Sequence, residues 1–180
     1  DAIRRVFCDE PEAHVDLAPV DVGLGPYDFP MTPVKPRSEW TFNKAGDTEG
    51  WGAGMGISSV EVRDGVLHAR TASNDPAFSL GGLRLRANKV AAITLKMKIG
   101  PLPGKEDNLQ LFWTTPSQGT SEASSVRVPL IGDGEWHTYT LPVGENPRWR
   151  GLIQSFRLDP GSARDVDVWM DEVRLVPAKP

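Results

Sequence analysis

The sequence predicts an all-β domain, two antiparallel sheets packed as a jelly-roll sandwich, behind an extended proline-rich N-terminal arm. After Trp40 no segment sustains a helical period, and short alternating runs are separated by Gly, Pro, Asn and Asp. In the clearest run Ile93, Leu95, Met97 and Ile99 alternate with Thr94, Lys96 and Lys98, the pattern of an antiparallel strand with one face buried and one solvated. Asp64-Gly65 stands between Val60 and Val62 and the returning run Val66 to Arg70. It is a two-residue hairpin signal, because a turn that matches strand twist needs positive φ at its centre.

Residues 1–37 are expected to be the arm. Pro11, Pro19, Pro26, Pro30, Pro33 and Pro36 exclude helix interiors and central strands there, leaving polyproline-like backbone that runs along a surface or between modules. Residues 38–180 are expected to be the folded domain. Strand-like runs continue at Leu109 to Thr115, Ser125 to Leu130, Trp136 to Val143, Leu152 to Asp159 and Val166 to Val176. About ten strands in about 140 residues suit a two-sheet sandwich. The last run is broken in phase, since Val166, Val168 and Met170 share one parity while Val173 and Leu175 take the other. One inserted residue, a β-bulge at Asp171, accounts for the break and turns a carboxylate out of the ladder.

Composition narrows the function classes. At 180 residues with 39% hydrophobic and 24% charged side chains, the chain can bury a full core. A net charge of −4 argues against a protein that gains affinity by neutralising phosphates, so nucleic acid is not an expected partner. Arg4-Arg5 and Arg84 with Arg86 are local basic clusters, and the second pair alternates with Leu83 and Leu85 as the solvated side of a strand. Cys8 is the single cysteine, so neither an intrachain disulfide nor a multi-thiolate zinc site can form. No apolar run approaches the length of a membrane span and the first residues are charged, so either a leader was removed or the chain is a piece of a longer one.

Few motifs carry catalytic chemistry. The segment Gly50-Trp51-Gly52-Ala53-Gly54-Met55-Gly56 has neither the dinucleotide nor the Walker spacing, and reads as a turn between strands with Trp51 packed or displayed at the rim. His14, His68 and His137 are too scattered for a metal motif, and no Gly-x-Ser-x-Gly elbow occurs. Glu122, Glu135, Glu145, Asp159 and Asp171 could each serve a paired-carboxylate glycosidase, but the sequence picks no pair. Asp159, before Pro160, reads as a turn acceptor.

The tryptophans sort by phase. Trp113 shares parity with Leu109 and Leu111 and is core-facing or rim-capping, which leaves Phe112 as the exposed aromatic of that strand. Trp169 lies opposite Val168 and Met170, pointing away from the core or covered by the arm, whereas Trp40 and Trp149 are expected inside. The outward groups are Thr94, Lys96 and Lys98, then Gln110, Phe112 and Thr114, then Ser125 and Arg127, and finally Ser155 and Arg157. If their strands are neighbours, these groups line one sheet face. Amide, ammonium and guanidinium donors beside an aromatic plane suit sugar hydroxyls and pyranose rings, and equally an ordinary solvated face.

Trp40-Thr41-Phe42-Asn43 followed by Gly46-Asp47-Thr48-Glu49-Gly50-Trp51, together with the closing Val168-Trp169-Met170-Asp171-Glu172-Val173-Arg174-Leu175, resembles carbohydrate-binding modules of the galactose-binding-like jelly-roll fold. The resemblance covers residues 40–176. It implies a non-catalytic, secreted or cell-surface module that holds a polysaccharide or oligosaccharide for a neighbouring catalytic domain. It also implies a structural calcium ion between the first and last strands, with Asp171 matching the closing aspartate and Asn43 standing where a Glu is common. The expected sugar site is Phe112 or the rim tryptophans Trp51 and Trp113 for stacking, with Lys96, Gln110, Arg127 and Arg157 as hydrogen-bonding groups. A structural module that packs on an enzyme domain, and a small glycosidase or polysaccharide lyase, are the alternatives.

Overall fold

The computed structural model describes residues 37–102 and 107–179. The arm expected over residues 1–37 lies outside them except for Arg37. The described residues form β1 (Glu39–Trp40), β2 (Trp51–Ala53), β3 (Ile57–Arg63), β4 (Val66–Thr71), β5 (Phe78–Leu80), β6 (Leu85–Arg86) and β7 (Val90–Gly100). There follow β8 (Asp107–Thr114), β9 (Ser125–Leu130), β10 (His137–Leu141), β11 (Leu152–Ile153), β12 (Ser155–Pro160) and β13 (Asp167–Pro177). One sheet has the order β10-β7-β13-β4-β3 with β1 added to β13, and the other has the order β2-β5-β12-β8-β9. All the pairings are antiparallel. The expected all-β sandwich is therefore present, with β6 and β11 as a small two-stranded flap at one end.

The core forms because alternation gives each sheet one apolar face. Ile93, Leu95, Met97 and Ile99 of β7 and Val168, Met170 and Val173 of β13 are buried against the other sheet's inner residues, which include Leu109, Leu111, Trp113, Phe156 and Leu158. Aromatic rings line one level of the core, because Trp51, Phe156 and Trp113 stand in a single row across β2, β5, β12 and β8. Trp40 meets Trp51 edge-on at 6.1 Å, and Trp149 stands edge-on to Trp113 at 5.0 Å while stacking on Phe156 at 6.2 Å. Trp51 is thus a core residue at 2% exposure and does not serve the rim.

The hairpin between β3 and β4 turns where expected, with Asp64 and Gly65 at φ 53° and 78°, both positive as a type I′ turn requires. The run Leu152 to Asp159 divides at Gln154, because its backbone N–H donates to Thr114 O at 2.9 Å and its carbonyl accepts from Leu83 N at 2.9 Å, handing the chain from flap to sheet. Asp159 and Pro160 do not form the expected turn. Both belong to β12, opposite Gln110 and Leu109, and Pro160 fits because it ends the strand.

The phase break in β13 is a bulge at Asp171. Met170 pairs with Met97 and Glu172 with Lys96, so Asp171 has no partner of its own in the ladder. Asp171 and Glu172 share one outward step, and Val173 returns to the core opposite Leu95. Deleting Asp171 therefore leaves Val168, Met170 and Val173 all inward, and that variant should unfold cooperatively in urea with a loss of only about 1–2 kcal/mol. Deleting Trp169 instead turns Met170 out and Asp171 in, and should cost more than about 4 kcal/mol. Equal losses from the two deletions would contradict the phase account.

Candidate functional site

The groups expected to share one face divide between two. Thr94, Lys96 and Lys98 point outward from the six-stranded sheet, whereas Gln110, Phe112, Thr114, Ser125, Arg127, Ser155 and Arg157 point outward from the five-stranded sheet on the far side of the core. Lys96 therefore cannot join Gln110, Arg127 and Arg157 in one site. The cause is strand order, since β7 lies between β10 and β13 and touches neither β8 nor β12 in a ladder.

On the five-stranded sheet the register sets two rows. Ser79, Arg157, Phe112 and Ser125 cross the strands in one, and Asp159, Gln110 and Arg127 in the next, about 7 Å along. Arg157 is the hub. Its Nε donates to Asp159 Oδ1 at 2.7 Å, and its Nη2 donates to Asp159 Oδ2 at 2.8 Å and to Asp75 Oδ1 at 2.7 Å. Beside it, Gln110 Nε2 donates to Ser125 Oγ at 2.8 Å and to Glu122 Oε2 at 3.0 Å, and Arg127 Nη2 donates to the same Glu122 oxygen at 2.9 Å. Thr114 and Ser155 close the face with a 2.6 Å hydroxyl contact.

Phe112 does not stand exposed. It keeps the outward parity but is only 6% exposed, because the Arg157 guanidinium from the adjacent strand lies 5.4 Å from its ring centroid. Trp113 is fully buried and donates Nε1 to Arg148 O at 3.3 Å, so it is a core residue and not a rim platform. Burial of Asp159 pushes its carboxyl above the ordinary carboxylate range, an effect that its bonds to Arg157 only partly offset. The same bonds, with Asp159 foremost, raise Arg157 further and keep it charged.

The six-stranded sheet carries an aromatic row that phase alone did not assign. Lys98 Nζ lies 4.3 Å from the Trp169 ring centroid and 5.3 Å from that of Trp136, and His68 lies 5.3 Å from Trp169. Trp169 does point away from the core, as its parity requires, and Trp136 is 37% exposed. Ion pairs surround this row, Arg70 with Asp167 at 2.9 Å and Lys96 with Asp171 at 2.6 Å. The signal for it was available in sequence, since Trp136 precedes β10 at the parity that faces Lys98, but it needed the β10 to β7 pairing to be seen.

Of the two residues that the resemblance places at a calcium ion, Asp171 is engaged by a cation of the chain itself. The Asp171 carboxylate already holds the Lys96 ammonium, which repels a second cation, whereas Asn43 donates Nδ2 to Thr41 Oγ1 at 2.9 Å and keeps its carbonyl oxygen free among the described residues. Among the described residues no three His, Cys, Asp or Glu side chains gather as a metal site. No helix among them is long and apolar enough to cross a membrane.

This two-sheet sandwich is an architecture found in carbohydrate-binding modules. A single-residue variant of a family 29 module, solved with mannohexaose, matches with a TM-score of 0.55 at 14% identity, over 78% of this chain and 92% of that one. Another variant of that module, solved with cellulohexaose, matches at 0.53 and 14% identity over 76% and 89%. A low-affinity xylan-binding module of family 86 from the gut symbiont Roseburia intestinalis is similar at 15% identity over 75% and 93%, with a TM-score of 0.49. No protein-family model matches the sequence, and no curated protein matches it either. At these identities the likeness is one of fold, and the two family 29 matches bear out the sandwich expected from the Trp40 and Val168 segments.

Two outcomes follow from the site's electrostatics. Because the folded-state pKa of Asp159 lies above its unfolded value of about 3.9, the folded domain holds that proton more tightly, and this group costs stability as pH rises through its folded pKa. Urea midpoints across the acidic range should show that loss in the parent chain and not in Asp159→Asn. A chelator should leave the thermal midpoint within about 1 °C, since among the described residues Asp171 is already neutralised by Lys96.

Proposed function

We propose that residues 38–180 form a non-catalytic carbohydrate-binding module that holds a polysaccharide on the outer face of the five-stranded sheet. The observation that carries this reading is the Arg157 hub on an open strand surface. Asp159 and Asp75 fix the guanidinium while leaving Nη1 without a partner among the described residues, and Gln110 spends its amide N–H groups on Glu122 and Ser125 and so presents its carbonyl oxygen. A fixed donor beside a fixed acceptor is what a sugar's paired hydroxyls require, and little side-chain entropy is lost on binding. Arg127 adds a second guanidinium across the next strand pair.

The fold supports the same reading, because solved modules of this architecture hold mannohexaose and cellulohexaose. The glycan here would be met mainly by polar contacts, since Phe112 lies beneath Arg157. We place the module outside the cytoplasm beside a catalytic domain of a longer chain, where soluble and insoluble glycans are encountered.

A second reading puts the sugar on the six-stranded sheet, and the exposed Trp136 ring favours it, as an exposed aromatic plane can stack on a pyranose. In affinity gels containing glucomannan, Arg157→Ala should lower retention by about tenfold or more, the worth of one charge-assisted hydrogen bond, while Trp136→Ala changes little. Loss with Trp136→Ala alone would move the site to the other face. No retention of the parent chain on any glycan would leave a structural module that packs on a partner domain. Sugar release by the isolated chain would favour the glycosidase or lyase alternative.

A further inference from the structure

The arginines of this domain are not evenly neutralised. Arg37, Arg63, Arg70, Arg127, Arg157, Arg164 and Arg174 each have a carboxylate within ion-pair distance. Arg84, Arg86, Arg148 and Arg150 have none among the described residues, and the last three are brought together where β6 pairs with β11. Arg86 is in β6, which pairs with β11 through Arg86 and Leu152, and Arg148 and Arg150 lie in the loop that leads into β11.

That loop is held firmly. Asn146 donates Nδ2 to Ser125 O at 2.9 Å and accepts from Arg148 N at 2.8 Å, and buried Trp149 donates Nε1 to the carbonyls of Ala87 and Val90 at 2.9 and 3.0 Å. With Trp149 locked into the core, Arg148 and Arg150 are displayed on either side of it. Two adjoining hollows result. One, of 590 Å³, is lined by Arg86, Asn88, Trp149, Arg150, Gly151 and Leu152. The other, of 400 Å³, lies between this loop and the turn that Thr115 and Gln118 close through mutual backbone bonds, and it shares Arg150, Gly151 and Leu152.

Neither hollow has an acidic side chain in its lining. Gln118 holds one of the guanidinium groups in place at the second hollow, its Oε1 accepting from Arg148 Nη1 at 3.4 Å. Guanidinium groups with no carboxylate beside them are charged donors that an oxyanion can accept from. The exposed Leu152 and Pro116 offer apolar surface for the ring that bears the charge.

We infer that this cleft takes the acidic groups of a glycan, uronate carboxylates or sulfate esters, at Arg150, with Arg86 beside it in one hollow and Arg148 in the other. The inference rests on the glycan-binding reading and names its substrate class as an acidic polysaccharide, with the loop cleft as a subsite apart from the Arg157 hub. Because the whole chain carries a net charge of −4, general attraction does not account for such binding. The contact must be local, and weakened by salt.

The test is retention in affinity gels containing polygalacturonate, a sulfated galactan, neutral glucomannan or polyglutamate. The double variant Arg148→Gln/Arg150→Gln should lose about tenfold or more of its retention on the acidic glycan and keep whatever it shows on glucomannan. Preference between the first two gels tells carboxylate from sulfate. The exposed Arg164→Gln, checked alongside Arg148→Gln alone, removes the same unit of charge elsewhere and should change nothing. The inference is overturned if the double variant retains the acidic glycans as the parent does, if Arg164→Gln weakens retention as much as Arg148→Gln, or if polyglutamate is held as strongly as polygalacturonate. Loss of glucomannan retention in Arg157→Ala with acidic retention unmoved by the loop variants fails this subsite alone. Absence of retention on every sugar gel fails the glycan-binding reading itself.

Discussion

The antiparallel pairing of β7 with β13 is the constraint on which the rest of the structure depends. Both strands run for 11 residues through the middle of the six-stranded sheet, and β1, β4 and β10 attach to their flanks. Their inner side chains form one wall of the core, so a slip of one residue would exchange Met97 and Met170 for Lys98 and Trp169 across the whole interface. The bulge at Asp171 is what lets a sequence with two incompatible phases satisfy that wall. It also sets Asp171 beside Lys96, so that the residue expected to hold a metal ion serves as a counter-charge.

The outer faces follow from the same alternation but obey different physics. On the five-stranded sheet, buried Asp159 is tolerated because Arg157 gives it two hydrogen bonds, and Arg157 in turn is held down on Phe112. Such a network holds these side chains in place by mutual hydrogen bonds. On the six-stranded sheet Lys98 occupies the space between two indoles, which leaves Trp136 exposed and Trp169 partly covered. The end with Trp149 differs from both, because there the guanidinium groups are positioned by backbone bonds and a buried indole instead of by carboxylates.

Much of the fold was legible in particular residues. The alternation at Ile93 to Ile99, the positive-φ pair Asp64-Gly65 and the phase change at Asp171 each report a local requirement of a strand, a turn or a bulge, and each is found where expected. The candidate site was legible only in part. Parity correctly turned Phe112 away from the core, but parity says nothing about a long side chain on the next strand, and Arg157 covers the ring. Lys96 was grouped with Gln110 and Arg157 because all three point outward, yet outward has two directions in a sandwich. Trp51, in a glycine-rich segment suited to a turn, pairs instead as the first residue of β2 and packs on Trp40.

By itself, then, the sequence determined the period, the Asp64-Gly65 turn, the inserted residue and the apolar set, all of which depend on neighbours close along the chain. Which strands lie side by side was decided by tertiary structure, because ladder partners such as Arg157 and Ser79, or Arg86 and Leu152, are far apart in sequence and are brought together only by the closing of the core. Charge pairing was decided at that same level. Asp75 neutralises Arg157 across the chain, while Arg148 and Arg150 are left without a carboxylate among the described residues, and no local pattern distinguishes the one arginine from the others.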